Sequence, residues 1–473
     1  MMNEGVAIGM RSWNLVLARG KVSYVYFCEN RRDMRKMRIF AVSKLFPMTA
    51  EERNRIIALV KREVVPAIGC TEPMAVALAV AKAKEILGSV PKQITVLLSA
   101  NMLKNAMGVG IPGTGMVGLP IAIALGALAG KSEYQLEVLK DITPELVEKG
   151  KEYIAQNRIK IQQKKDVAEK LYIEVECHNG DDSVEVVISG MHTHFSYIAK
   201  NGEVLLDDRV KKEESATSED PKLDMRTVYD FAMTAPLSEI HFILETAELN
   251  KRAAEMSLNN NFGHGLGRTI FMEPRAQFFG NGVYSKILSY TSAACDARMA
   301  GVKVPVMSNS GSGNQGIAAT LPVWVFAKER LKSEEELTRA LMLSHLTVIY
   351  IKQSFGRLSP LCGCVVAATG SACGLTYLLG GNYDQIVYAV KNMIANITGM
   401  ICDGAKPSCS LKVATGVSTA VLSSMLAIDD EVVTPAEGII DEDVDKCVQN
   451  MANIGIHGMA TTDNLVLDIM TRK

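Results

Sequence analysis

Residues 105–130 and 358–383 carry no charged side chain. Each stretch is long enough to cross a bilayer, which takes ~20 apolar residues as a helix. A helix buried on every side of a large core has the same composition. The interruptions favour the core. Pro112 and Pro120 break the first stretch, and the second holds Cys362, Cys364, Cys373, Asn382 and several glycines. Neither has the flanking aromatic belts or basic-loop asymmetry of a membrane span. Closely packed helices of a soluble protein are expected, with no membrane partner; a small-residue-rich membrane carrier is the non-enzymatic alternative.

Composition supports that expectation. A chain of 473 residues can bury a sizeable core without disulfide or metal staples. Its 51 basic and 52 acidic side chains nearly cancel, which argues against nucleic acid as a partner. Aromatic residues make up only 6%, while the chain holds 24 Met and 37 Gly. Ten cysteines without a secretory signal point to a reducing cytoplasm, where thiols serve as ligands, nucleophiles or core residues.

The chain reads as α+β, a mainly helical catalytic domain with an inserted small α+β domain. Residues 1–47, with nine Lys/Arg against three acids, read as a basic N-terminal extension outside the fold. Thr49 and Glu52 form a capping-box pattern that opens a helix over Glu51 to Val65, stopped at Pro66. A tight corner comes next, then a helix from Pro73 to Leu87 ended by Gly88, with Cys70 or Thr71 as its cap. The period changes at Ile94 to Leu98. Segments 171–176, 183–188, 193–199 and 203–206 complete the pattern of an antiparallel sheet. Residues 91–224 are therefore assigned to the inserted domain and its polar exit linker, and 48–90 with 225–473 to the helical domain.

Three groups of residues could carry chemistry. Cys362, Cys402 and Cys409 fall at helix ends, Cys402 and Cys409 enclosing Asp-Gly-Ala-Lys-Pro-Ser. This is no zinc-ribbon spacing, and small buried core residues would explain it equally. Asn309-Ser-Gly-Ser-Gly-Asn-Gln-Gly316 and Gly108-Val-Gly-Ile-Pro-Gly-Thr-Gly115 are glycine-rich loops that could either bind an anion or simply turn and pack. His192 and His194, two apart on an expected strand, share a face that is either chelating or solvated. Cys70, in Gly-Cys-Thr-Glu-Pro at a helix start, is the best nucleophile or base candidate.

Five motifs in one order, Pro66 to Pro73, Gly108 to Gly113, Asn309 to Gly316, Leu361 to Cys364 and Cys402 to Cys409, resemble the L-cysteine desulfidase family. That family is similar to the α-domain of iron–sulfur L-serine dehydratases, and the likeness runs from about Met48 to the C-terminus. The resemblance implies a 4Fe–4S cluster held by Cys362, Cys402 and Cys409, with Cys364 the rival of Cys362. It implies Cys70 as the base, a thiolate favoured by its helix N-terminus, and a β-elimination that releases pyruvate and ammonia from a small L-amino acid. Asn309, Ser310 and Lys104 are the expected holders of the substrate carboxylate. L-Cysteine is the expected substrate and L-serine the alternative; a pyridoxal-phosphate lyase would share the products. A homo-oligomer is compatible with the sequence.

Overall fold

The computed structural model describes residues 13–18, 21–26, 48–165, 167, 169–209, 220–355 and 361–472. The chain divides into two units, Met1–Met48 and Thr49–Lys473. In the first, Trp13–Ala18 and Lys21–Tyr26 pair antiparallel; the rest of the expected basic extension lies outside the described residues, as do most of the exit linker and Ser359-Pro360. The second unit carries every candidate site residue.

Thr49 and Glu52 cap the helix Ala50–Glu63 reciprocally, Thr49 Oγ1 accepting from the Glu52 amide and the Glu52 carboxylate accepting from the Thr49 amide. Pro66–Ile68 then forms a three-residue strand antiparallel to Pro305–Met307. Both strands are too short to leave a period in the sequence, and the second falls where only helices and turns are expected. Cys70 caps the helix Thr71–Leu87, which ends on Gly88 at φ +79°. Met74 to Ala81 are all buried, so this helix is apolar all round and runs through the core rather than along its surface.

The sheet has six strands in the order Ile159–Gln163, Gln93–Leu98, Tyr172–Asn179, Asp182–Ser189, Phe195–Lys200, Glu203–Asp207. Its register places Ile94 opposite Cys177, Val96 opposite Val175 and Leu98 opposite Ile173, all buried in the core beside the Thr71–Leu87 and Leu119–Ala129 helices. The sheet is mixed rather than antiparallel throughout, because Gln93–Leu98 and Ile159–Gln163 run parallel. That edge strand, Ile-Lys-Ile-Gln-Gln, offers only two apolar positions, too few to stand out inside a helical interval.

Helices supply most of the remainder. The stretch 105–130 is broken between the helices Ala100–Ala106 and Leu119–Ala129, and the described part of 358–383 holds the helix Gly363–Leu378 and the first residue of Tyr383–Ile397. The latter sits among the helices Gly313–Glu329, Glu334–Phe355, Tyr383–Ile397 and Cys409–Ile428. Its Ala, Gly, Ser, Thr and Cys side chains let four neighbours approach closely. Cys409–Ile428 is long and apolar enough to cross a membrane by composition. Its Val413, Gly416, Val417 and Ala420 are buried in the bundle, while Leu411, Leu422, Met425 and Leu426 are exposed on its other face.

Lys104 is 1% exposed, and its ammonium is paired with Asp463 of the last helix, Ala460–Thr471. Removing one partner of a buried pair leaves the other charge uncompensated, at a cost of ~3 kcal/mol. Asp463→Asn is therefore expected to lower the unfolding free energy by about that amount. Chemical denaturation checks it, and a loss within measurement error would show that the pair contributes nothing.

Candidate active site

Four helices begin at one cavity of about 120 Å³: Cys70, Ser312 and Cys362 are the N-caps of three, Cys409 opens the fourth, and all four residues line the space. Three backbone ties and one side-chain contact bring these distant segments together. The Cys362 amide donates to the Met400 carbonyl at 2.9 Å, and Leu361 bridges to Ile401, setting the Cys362 segment beside that of Cys402. The Ser310 amide donates to the Glu63 carbonyl at 2.9 Å. The Thr71 hydroxyl lies 3.1 Å from the Gly311 carbonyl oxygen, joining the Cys70 corner to the glycine-rich loop.

Cys70 Sγ donates to Glu72 Oε2 at 2.8 Å, with the Thr71 hydroxyl 3.0 Å from the same oxygen. Burial and the adjacent Glu72 charge hold the Cys70 thiol well above its ordinary pKa, outweighing the opposing Arg298 charge. The expected thiolate is thus replaced by a thiol hydrogen-bonded to a carboxylate. The helix N-terminus does not compensate for taking a thiolate out of water.

The cysteine segments close a second wall. Asp403 pairs with both Lys406 and Lys412, and Lys406 Nζ donates to the Gly404 carbonyl at 3.0 Å, so the interior of the Cys402–Cys409 loop is self-braced. Burial, with the neighbouring thiols, raises the Cys402 and Cys409 thiols, the latter to about 11. Cys362 is raised by its contact with Cys364 and by burial. Three half-buried cysteines whose sulfurs disfavour one another's charge are a donor set that a cationic centre would stabilise. Among the described residues no three His, Cys, Asp or Glu side chains stand at the spacing of a single ion's ligands. Cys364 lines the same cavity, but its thiol donates to the Lys412 carbonyl at 2.9 Å and its sulfur occupies the space a side chain at Gly416 would fill.

Two expected carboxylate holders are not in the cavity wall. Lys104 is consumed by Asp463. Asn309, fully buried, donates to His345 Nδ1 and to the His345 carbonyl, and its own carbonyl accepts from the Ser310 hydroxyl at 2.8 Å. It braces the loop from behind. Ser310 does line the cavity, in a left-handed conformation at φ +48°. The histidine pair is also corrected: residues 191–194 form a turn, His192 is buried against the cavity, and His194 turns away to Asp208. The 108–115 loop packs on the Cys70 corner and on residues 300–301, leaving Asn105 before it at the cavity.

Arg298 is the residue that pattern reading misses. It is 3% exposed, lines the cavity and lies directly over Gly313, where a Cβ would stand 2.2 Å from Nε. Gly316 is required for a different reason: a Cβ there would meet the Met307 carbonyl oxygen at 1.9 Å. Arg298 Nε, Gln315 Oε1, Asn314 Oδ1 and Asn105 Oδ1 are buried without a hydrogen-bond partner, each on a residue that lines the cavity. Buried polar groups are rarely left so, because the desolvation is uncompensated; four around one space mark it as built for a polar ligand.

A model of the serine dehydratase alpha chain family matches residues 133–468. The chain belongs to this family. It is 66% identical over 426 residues to a UPF0597 protein of Bacteroides fragilis, covering 90% of this chain and all of the relative. Similar proteins of that name occur in Porphyromonas gingivalis, 54% identical over 432 residues (90% of this chain, 100% of the relative), and Aeromonas hydrophila, 43% over 420 (88% and 96%). The name they share states no activity.

The loop support carries its own pH dependence. His345 Nδ1 accepts from Asn309, so Nε2 holds the proton and donates to Thr320 Oγ1 at 2.9 Å; Thr320 in turn donates to the Gly316 carbonyl at 2.7 Å. Burial lowers the His345 pKa to about 3. The unfolded chain binds a proton there near pH 6.5 and the folded chain does not, so this contribution is complete above pH 6.5 and is lost as pH falls toward 3. Stability is expected to drop by up to ~1.4 kcal/mol per pH unit across that window from this residue. His345→Gln should lack the increment when denaturation is compared at about pH 7 and about pH 5.

Proposed function

We propose that this chain is an iron–sulfur-dependent β-elimination lyase acting on a small L-amino acid, converting L-cysteine to pyruvate, ammonia and sulfide. The observation that carries the reading is the convergence of the Cys70–Glu72 pair and of Cys362, Cys402 and Cys409 on one cavity. A 4Fe–4S cluster held by those three thiolates would supply a Lewis acid to the leaving group. The protein itself handles the α-proton. Cys70 passes its own proton to Glu72 Oε2, along the hydrogen bond already formed, as its sulfur takes the proton from Cα. The electron pair left on Cα becomes the Cα–Cβ double bond, and the Cβ–S bond breaks to release hydrosulfide. The resulting aminoacrylate tautomerises and is hydrolysed to pyruvate and ammonia. The nine described cysteines are free thiols, in keeping with a reducing cytoplasm.

The family description favours a second substrate, L-serine, with hydroxide as the leaving group and the same residues in the same roles. Sulfide and pyruvate release measured side by side with the two amino acids under anaerobic conditions separates them.

After anaerobic reconstitution, Cys409→Ala is expected to lose iron and acid-labile sulfide, whereas Cys364→Ala keeps them. Full iron in the Cys409 variant would overturn the ligand assignment. Cys70→Ser and Glu72→Gln should retain the cluster absorbance while pyruvate formation falls by about 10²–10⁴, the usual range for a positioned acid–base group. A Cys70→Ser variant working at the wild-type rate would reduce Cys70 to a helix cap.

A further inference from the structure

The four unpartnered atoms named above, on residues that line the cavity, differ in kind. One is a donor, Arg298 Nε, on a side chain that is cationic at any physiological pH. The other three are acceptors, the amide oxygens of Gln315, Asn314 and Asn105. Gln315 is 3% exposed, with its side chain lying over Gly363 of the cysteine segment. Asn314 and Gln315 come after the Ser312 cap in the first turn of their helix, and Asn105 comes from the end of Ala100–Ala106. The Glu72 carboxylate in the same wall is already engaged by Cys70 and Thr71. A ligand that satisfies this set must both accept from a guanidinium and offer several N–H donors to amide oxygens.

We infer that Arg298 reads the carboxylate, and the Gln315, Asn314 and Asn105 oxygens read the ammonium, of a zwitterionic α-amino acid. An ammonium group brings three donors to three acceptors, and a carboxylate fits a guanidinium better than any other side chain. The cavity thereby selects against acids that lack the amine and amines that lack the acid, since either leaves buried groups unsatisfied. Holding the nitrogen as ammonium also keeps positive charge beside Cα, where it acidifies the proton that Cys70 faces.

The inference rests on the lyase reading for the role of the site, but its test is binding without turnover. L-Alanine carries both charged groups and no leaving group; propionate lacks the ammonium and ethylamine lacks the carboxylate. Titrated against the anaerobically purified protein, L-alanine is expected to bind at least ~10-fold more tightly than either analogue. Arg298→Gln should weaken L-alanine and propionate alike. Gln315→Met, similar in volume but without the oxygen, should weaken L-alanine about tenfold and leave propionate unchanged. Equal binding of L-alanine and propionate by the wild type would overturn the assignment, as would a Gln315→Met effect of the same size on both. The wild-type series and Gln315→Met decide the matter even if Arg298→Gln fails to fold. Preserved selectivity without pyruvate from cysteine or serine would sink the lyase reading alone; turnover without ammonium preference would sink only this assignment.

Discussion

Four helix N-termini meeting around one small space is the constraint on which the rest of the structure depends. Each brings unsatisfied backbone N–H groups and the positive end of a dipole, so the cavity favours negative charge without any one residue being responsible. The helices behind it are held together by small side chains, and the caps that face it are Cys and Ser rather than the Asp and Asn that would fill the dipole's need themselves. Glu72 brings a carboxylate to the wall, but Cys70 and Thr71 already engage it.

Burial works against that field. Cys70, Cys402 and Cys409 stand above their ordinary thiol pKa chiefly because removing water from a thiolate costs more than helix termini return, and Cys362 is raised by its contact with Cys364 first and by burial second. The opposing effects divide the thiols into two kinds. Cys70 has a carboxylate partner and can only become an anion by handing its proton to Glu72. The other three have no such acceptor among their hydrogen bonds and gain most from a cation among them. Sulfur chemistry thus differs on the two walls through neighbours rather than through the residue itself.

Much of this was legible in the sequence wherever the signal is local. The capping box at Thr49, the Cys70 cap, the Gly88 stop and the start of a helix at Cys409 all rest on residues within one turn of each other. The cysteines could be placed at helix ends for the same reason. Arg298 could not be found that way, because what makes it functional is a glycine at position 313 and a cavity built from four distant segments. Its faint signal is that Asp296 and Arg298 are the only charges between Ile287 and Ala300, in a helix whose other residues there are buried or half-buried. A charge pair within such a run needs partners or a purpose.

Lys104 and Asn309 show the converse error. Both have the chemistry to hold a carboxylate and both stand in motifs, yet each spends its donors inside the protein, one on the last helix and one on His345. The residues that retain unspent polar atoms are their neighbours, Asn105 next to Lys104 and Gln315 six positions beyond Asn309. A motif therefore needs two sets of polar residues, one to fix the backbone and one to meet the ligand, and composition does not separate them. Unsatisfied hydrogen-bonding capacity does, because a group committed to the scaffold has no free energy left to give a substrate.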